Sequence, residues 1–478
     1  MAASKASEDA ADNDCVNAFK IDTNHVFQKD RNAKCAPATG QWFFHHPEYE
    51  AFQEANGLQL LFVTAEAGGG KSTLMRTFID SLQESDDRPL VAYFFFKDDD
   101  DQLRSYEDAL SSIIYQLLIQ ERGFIKHAKE SYKRYGHGIR YQSKEMWNIL
   151  LTSAAEAHRR VVCVLDAVDE CAPAGRRELV SDLVAASQRG PKTTSTKLKF
   201  VVTSRPYQDK DHPYADLASS DVIRHLAGEI AKVQTDIQTV IRFKAEELAK
   251  KHELSKCTLD MLIENISSQN LQTRSFLAVR MAFELLDSHQ LMQKGAEEHI
   301  VRKILTDIPQ FLGDQFDAML NRSPDREHAR RLFCVILAAR KTLKIPELKV
   351  LYALTRPTNS EAEDPHSYEE LNIPTDDEEF KQLIRARFGL FITFVRSSVH
   401  LFHQTAREYL MAKPGMIIGT SYGTCPMPSE PESYSLWDRA RQQSWKGIIT
   451  EADANVVMLT VCLDLFKFET PRSWILGA

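Results

Sequence analysis

Residues 65–73 read AEAGGGKST, set between the apolar run LQLLFVT at 58–64 and the helical stretch LMRTFIDSL at 74–82. A strand that ends in small residues and gives way to a helix is the local plan of a phosphate-binding loop. Glycines let backbone N–H groups close around phosphate oxygens, and the helix N-terminus adds favourable partial charge. Within the pattern G-x-x-x-x-G-K-[ST], Gly68, Gly69 and Gly70 form the turn and Lys71 reaches the outer phosphates. Ser72 offers its hydroxyl to Mg²⁺, and Thr73 extends the polar rim. The pattern departs at one place: Ala65 stands where the first glycine belongs, and an extra glycine, Gly69, follows Gly68.

Outward from the loop, PLVAYFFFK (89–97), RVVCVLDAVDEC (160–171) and KLKFVVTSRP (197–206) are unbroken apolar runs with the length of buried parallel strands, and DVIRHL from Asp221 is a shorter one. Helical stretches such as LSSIIYQLLI from Leu110 separate them. This alternation predicts an α/β P-loop domain, a doubly wound parallel sheet with its ligand beyond the carboxyl ends of the strands. The second half of such a site is a carboxylate delivered to Mg²⁺ by an apolar strand, and Asp166 follows directly on VVCVL. Asp169 and Glu170 come next as candidates to orient or deprotonate water, Glu170 being preferred. Arg205 closes KFVVTS, where a cation senses a terminal phosphate. Taken singly, Asp166 is an aspartate capping a turn and Arg205 a solvated surface cation. Their order behind the loop makes them a nucleotide site. The run DDDD at 98–101 reads as a solvated loop.

The 478 residues allow about two to four domains. A charged fraction of 26% and a hydrophobic fraction of 43% are those of a globular chain. The formal charge of −8 and the acidic stretch 361–379 argue against a nucleic-acid partner, and so against a winged-helix DNA-binding regulator. No apolar run has the length of a membrane span, and the N-terminus lacks the features of a secretion signal, so a cytoplasmic protein is expected. Eight cysteines without a C-x-x-C pair fit buried thiols better than zinc or disulfides. Residues 1–40 form an N-terminal extension, its polar first 14 residues expected to be disordered. Residues 41–228 form the nucleotide domain, 229–322 a helical domain and 323–413 helices followed by a hairpin, a winged-helix-like unit. Residues 414–478 form a linker and a helical segment.

The ordered set AEAGGGKST, VVCVLDAVDEC and KFVVTSRP resembles the NACHT group of STAND signalling NTPases. With QWFFHHPEYEAF, VAYFFFKDDDDQ, FLAVRMAFELL, IPQFLGDQFDAML and VHLFHQTAREYL, residues 41–412 look like the nephrocystin-like NACHT proteins of filamentous fungi. The resemblance implies a switch that holds ATP or ADP, with GTP or GDP left open, together with Mg²⁺. It also implies slow hydrolysis, self-association in the triphosphate state, a protein effector, and a role in non-self recognition, heterokaryon incompatibility or regulated cell death. It carries phosphate-loop roles onto Gly68, Gly70, Lys71, Ser72 and Thr73, acid roles onto Asp166, Asp169 and Glu170, and the sensor arginine onto Arg205. It gives His403, in LFHQTAREYL, contact with a bound diphosphate. Arg274 stands where relatives commonly have glycine. Relatives often add an N-terminal effector and C-terminal repeats, and their absence from this sequence suggests a truncated gene product or a stand-alone adaptor. A non-catalytic nucleotide-binding scaffold is the alternative function.

Overall fold

The computed structural model describes residues 2–98, 100–189, 197–206, 214–220, 223–227, 230–273, 275–309, 311–356, 376–395, 397–412 and 444–467. The chain divides into two compact units, Met1–Val240 and Ile241–Ala478.

The first unit is built on one parallel sheet of β1 (Gln59–Thr64), β2 (Leu90–Phe95), β3 (Val161–Asp166), β4 (Leu198–Ser204) and β5 (Arg224–Ala227), in the spatial order β2-β3-β4-β1-β5. Every residue of β2, β3 and β4 is buried, which is why these strands read as unbroken apolar runs and not as alternating ones. Alternate side chains still point to opposite faces. Leu60, Phe62, Phe94, Cys163 and Phe200 share one apolar cluster, while Leu61, Val63, Tyr93, Val164 and Val201 share another.

Chain order through this unit is α1 (Ala2–Asn17), α2 (His25–Asp30), α3 (Gln41–Phe44) and α4 (Pro47–Glu54) before β1, and α5 (Lys71–Glu84) after it. Then come β2, α6 (Tyr106–Gln120), α7 (Ile125–Tyr135), α8 (Ser143–Glu156), β3, α9 (Pro173–Arg189), β4, α10 (Ala215–Ser219) and β5. Helices α6, α8 and α9 fill the first cluster through Ile113, Leu150 and Leu183, and α5 fills the second through Met75, Phe78 and Ile79. The aromatic stretch 42–52 packs on α5, with Phe43 edge-on to Phe78 at 5.6 Å and to Phe44 at 5.4 Å. Asp236 of α11 (Ile230–His252) ties that stretch down by accepting from the Gly40 N–H at 2.7 Å and the Trp42 indole at 3.0 Å.

The expectation of disorder over residues 1–14 is corrected. Residues 2–17 form α1, and Cys15, Val16, Ala18 and Phe19 at and just past its end are buried. Polar side chains farther up are held by ion pairs and hydrogen bonds, Lys129 to Asp12 at 2.7 Å and Arg122 to Asn13 at 2.6 Å. A composition poor in apolar residues hides a helix that needs only its last turn to anchor it.

The second unit is helical, as the change of period after residue 229 predicts. It contains α12 (Lys256–Thr273), α13 (Phe276–Asp287), α14 (Glu298–Asp307), α15 (Leu312–Leu320), α16 (Arg326–Ala338), α17 (Ile345–Leu354) and α18 (Asp377–Phe388). An antiparallel pair follows, β6 (Ile392–Val395) with β7 (Ser398–Leu401), then α19 (Gln404–Leu410) and α20 (Glu451–Lys467). Pro346 occupies the first turn of α17, where its missing N–H costs nothing. Most of the expected loop 355–376, all of the linker 414–435 and Arg274 lie outside the described residues. Among the described residues no helix is long and apolar enough to cross a membrane.

Candidate functional site

Strand order decides which side chains meet. Both β1 and β3 pair with β4, with Thr64 level with Ser204 and Leu165 level with Val202. The end of β4 therefore lies between the glycine-rich loop and the acids that follow β3.

The loop leaves β1 at Ala65, whose N–H donates to Ser204 O at 3.3 Å. Gly68 (φ 71°) and Gly70 (φ 80°) sit in the left-handed region, which costs a side-chain-bearing residue about 1–2 kcal/mol. Gly69 is required for a different reason. A Cβ there would lie 2.9 Å from the Glu66 carbonyl oxygen and 3.4 Å from the Ala65 methyl. It is the Glu66 carbonyl, and not the Ala65 methyl, that requires a glycine at 69. Gly70 then caps the 14-residue α5. The Lys71 ammonium donates to Ala65 O at 2.5 Å and Glu66 O at 3.1 Å. Burial pushes its pKa down, and the charges of Asp169, Asp166 and Glu170 oppose this while Arg205 adds to it.

Asp166 is 1% exposed at the end of β3. It accepts from Thr203 Oγ1 at 2.7 Å, and the Ser72 hydroxyl stands near it. Burial raises its pKa, and the two hydroxyls together with the charges of Lys97 and Lys71 pull it back. Thr203 in turn accepts from the Ala167 N–H at 2.9 Å, which fixes a turn whose Ala167 has φ 55° and which leads into a 3₁₀ turn at Val168–Glu170. Arg176 holds the backbone beyond it, donating to Cys171 O at 2.5 Å and Asp169 O at 3.2 Å, and the Tyr214 hydroxyl donates to Val168 O. The Asp169 carboxylate pairs with Arg205 Nε at 3.1 Å and accepts from the Arg205 N–H at 3.3 Å. Glu170 pairs with Lys97 at 3.6 Å and accepts from the Asp98 N–H at 3.4 Å.

Lys71, Ser72, Asp166, Asp169, Glu170 and Arg205 thus form one electrostatically connected cluster at the carboxyl end of the sheet. Thr73 contributes its carbonyl, which accepts from Thr77 Oγ1 at 3.2 Å. His403 lies in the second unit as the N-cap of α19. Its Nδ1 accepts from the Thr405 N–H at 3.0 Å, which places the proton on Nε2. Two members were missed in the sequence. Thr203 lies inside the run KFVVTS and Lys97 closes the run PLVAYFFFK, so both read as strand residues. The available signal was a lysine at the carboxyl end of a buried strand, the edge where the ligand is expected.

The donor set suits a polyphosphate with a hard cation. Two positive-φ glycines and one Cβ-excluding glycine shape the loop, an ammonium is held against it, and a hydroxyl–carboxylate pair stands at the helix start.

Residues 38–205 match the family described as nephrocystin 3, N-terminal. Over 440 residues the chain is 22% identical to the vegetative incompatibility protein HET-E-1 of Podospora anserina, a match that covers 90% of this chain and 30% of that protein. The chain thus spans about a third of its relative's length. Among solved structures it is similar to the Aeropyrum pernix ORC2 protein (ADPNP–ADP complexes) at TM-score 0.32 and 12% identity, over 82% of this chain and 95% of that one. It is likewise similar to Cdc6p of Pyrobaculum aerophilum at TM-score 0.35 and 12% identity, over 82% and 94%.

Proposed function

We propose, on the premise of the NACHT-like fungal family that the two sequence matches support, that this chain is a nucleotide-dependent switch with slow Mg²⁺-dependent hydrolysis, acting in fungal incompatibility. The observation that carries the reading is the buried Asp166 carboxylate at the end of β3, close to Ser72 and to the Lys71 ammonium at the start of a helix entered through two left-handed glycines. In this role the N–H groups of Gly68, Gly69 and Gly70 surround phosphate oxygens, and Lys71 exchanges its two loop carbonyls for the outer phosphates. Ser72 and Asp166 hold Mg²⁺, which when bound neutralises phosphate charge. Glu170 orients a water and accepts its proton, and Arg205, held by Asp169, faces the terminal phosphate. The resemblance gives His403 a contact with the diphosphate, and on that reading His403→Ala speeds ADP release. ATP is the expected nucleotide.

Lys71→Ala tests the reading directly. Charge-assisted bonds of this kind contribute about 1.5–3 kcal/mol, so nucleotide recovered from the denatured variant should fall about tenfold or more. Chromatography of the released nucleotide makes the measurement, and equal content in both proteins would reject the site. A non-catalytic nucleotide-binding scaffold is favoured by one observation: both acids of the Asp169–Glu170 pair are matched with cations. Bound nucleotide without Mg²⁺-dependent turnover selects it.

A further inference from the structure

The Lys97–Glu170 pair concerns a side chain to which neither the motif pattern nor the relatives assign a role. Lys97 directly follows the buried run that ends β2, and β2 lies beside β3 with Phe95 level with Asp166. Its backbone N–H donates to Leu103 O at 2.8 Å, so the chain folds back at once and the lysine stays over the strand end. The lysine side chain is 18% exposed and that of Glu170 10%. A charge pair so little hydrated is screened far less by water and salt than a surface pair. The two glutamate oxygens are engaged separately, Oε1 by Lys97 Nζ at 3.6 Å and Oε2 by the Asp98 N–H at 3.4 Å. A carboxylate held in this way is stabilised in its charged form and is a weaker proton acceptor. The second acid, Asp169, is matched by Arg205 on the β4 side, and Lys97 on the β2 side is ion-paired with Glu170.

We propose that Lys97 is a positioning residue that restrains Glu170: it holds the carboxylate in an ion pair and so keeps turnover slow. The proposal rests on the reading of Glu170 as the group that activates water. Removing the positive charge, as in Lys97→Met, releases one carboxylate oxygen and restores its basicity. Lys97→Arg keeps the charge and therefore the restraint.

The test uses the full-length protein in four forms: wild type, Lys97→Met, Lys97→Arg, and Lys97→Met combined with Glu170→Gln. Lys97→Met should still retain nucleotide, while kcat for Mg²⁺-dependent hydrolysis rises about three- to tenfold. Lys97→Arg should keep the wild-type rate, and the added Glu170→Gln should abolish the gain, because the effect passes through that carboxylate. A second readout needs no nucleotide. A carbodiimide joins an amine to a carboxylate only at ion-pair distance, so wild type should yield a Lys97–Glu170 linked peptide by mass spectrometry, and Lys97→Arg should not. Unchanged or reduced kcat in Lys97→Met with nucleotide still bound overturns the proposal, as does absence of the linked peptide. Failure of the wild type to retain any nucleotide, with the linked peptide present, instead refutes the nucleotide-site reading on which the proposal stands.

Discussion

Gly69 meets the Glu66 carbonyl oxygen at a distance no real Cβ tolerates, and that oxygen belongs to the backbone of the loop itself. A side chain at 69 therefore has to deform the loop, whereas removing the Ala65 methyl leaves all these bonds in place. Gly69→Ala should cut retained nucleotide by about tenfold, an effect of roughly 1.4 kcal/mol, with the melting temperature lowered by only a few degrees. Ala65→Gly should hold wild-type nucleotide within about twofold. Equal retention by Gly69→Ala and wild type would contradict the packing argument. The sequence shows Ala65 and Gly69 as oddities, and the reason for a glycine at 69 is visible only once the loop is folded. The same holds for Asp169 and Arg205, 36 residues apart and joined because β3 and β4 are neighbours. Asp166 was legible because its cause is local: a carboxylate directly after five buried residues.

Among elements, the strands were the most legible, since burial on both faces leaves a continuous apolar run. Helices α1 and α2 at the start of the chain were the least, because polar contacts hold much of them. The six-residue α2 is too short to be stable alone. It is fastened to α5 by Lys29, whose ammonium lies 2.6 Å from Asp80, with Lys34 adding a second cation at 3.5 Å. Burial raises the Asp80 pKa, but the bond and charge of Lys29 and the charge of Lys34 outweigh it, and the net shift is downward from 3.8. The sign follows directly. A carboxyl group with a folded pKa below its unfolded value adds stability at pH above about 3.8, and that contribution disappears as pH falls through the lower folded value. Asp80→Asn should therefore cost about 1 kcal/mol at pH 7, measured by denaturant unfolding. The gap between the two proteins should close below pH 3.8. A gap that persists at pH 2 would mean that packing and not charge holds α2.

At the scale of the whole molecule, the sequence marks where strand period gives way to helix period near residue 229, and α11 begins at Ile230. A switch of the proposed kind reports its nucleotide through association, and composition sets the terms. With 59 basic and 67 acidic residues each copy carries about −8, so copies repel one another at long range. Salt screens that repulsion, with a Debye length falling from about 30 Å at 0.01 M to about 8 Å at 0.15 M, while short-range contacts between copies are little affected. Light scattering with ADP should then give a mass near 54.4 kDa at every salt concentration. A non-hydrolysable triphosphate should give a larger mass, and the fraction associated should grow as salt is raised across that range. Association that weakens with added salt would mean that ion pairs between copies drive it. A mass independent of nucleotide would leave the chain a binder of nucleotide and not a switch.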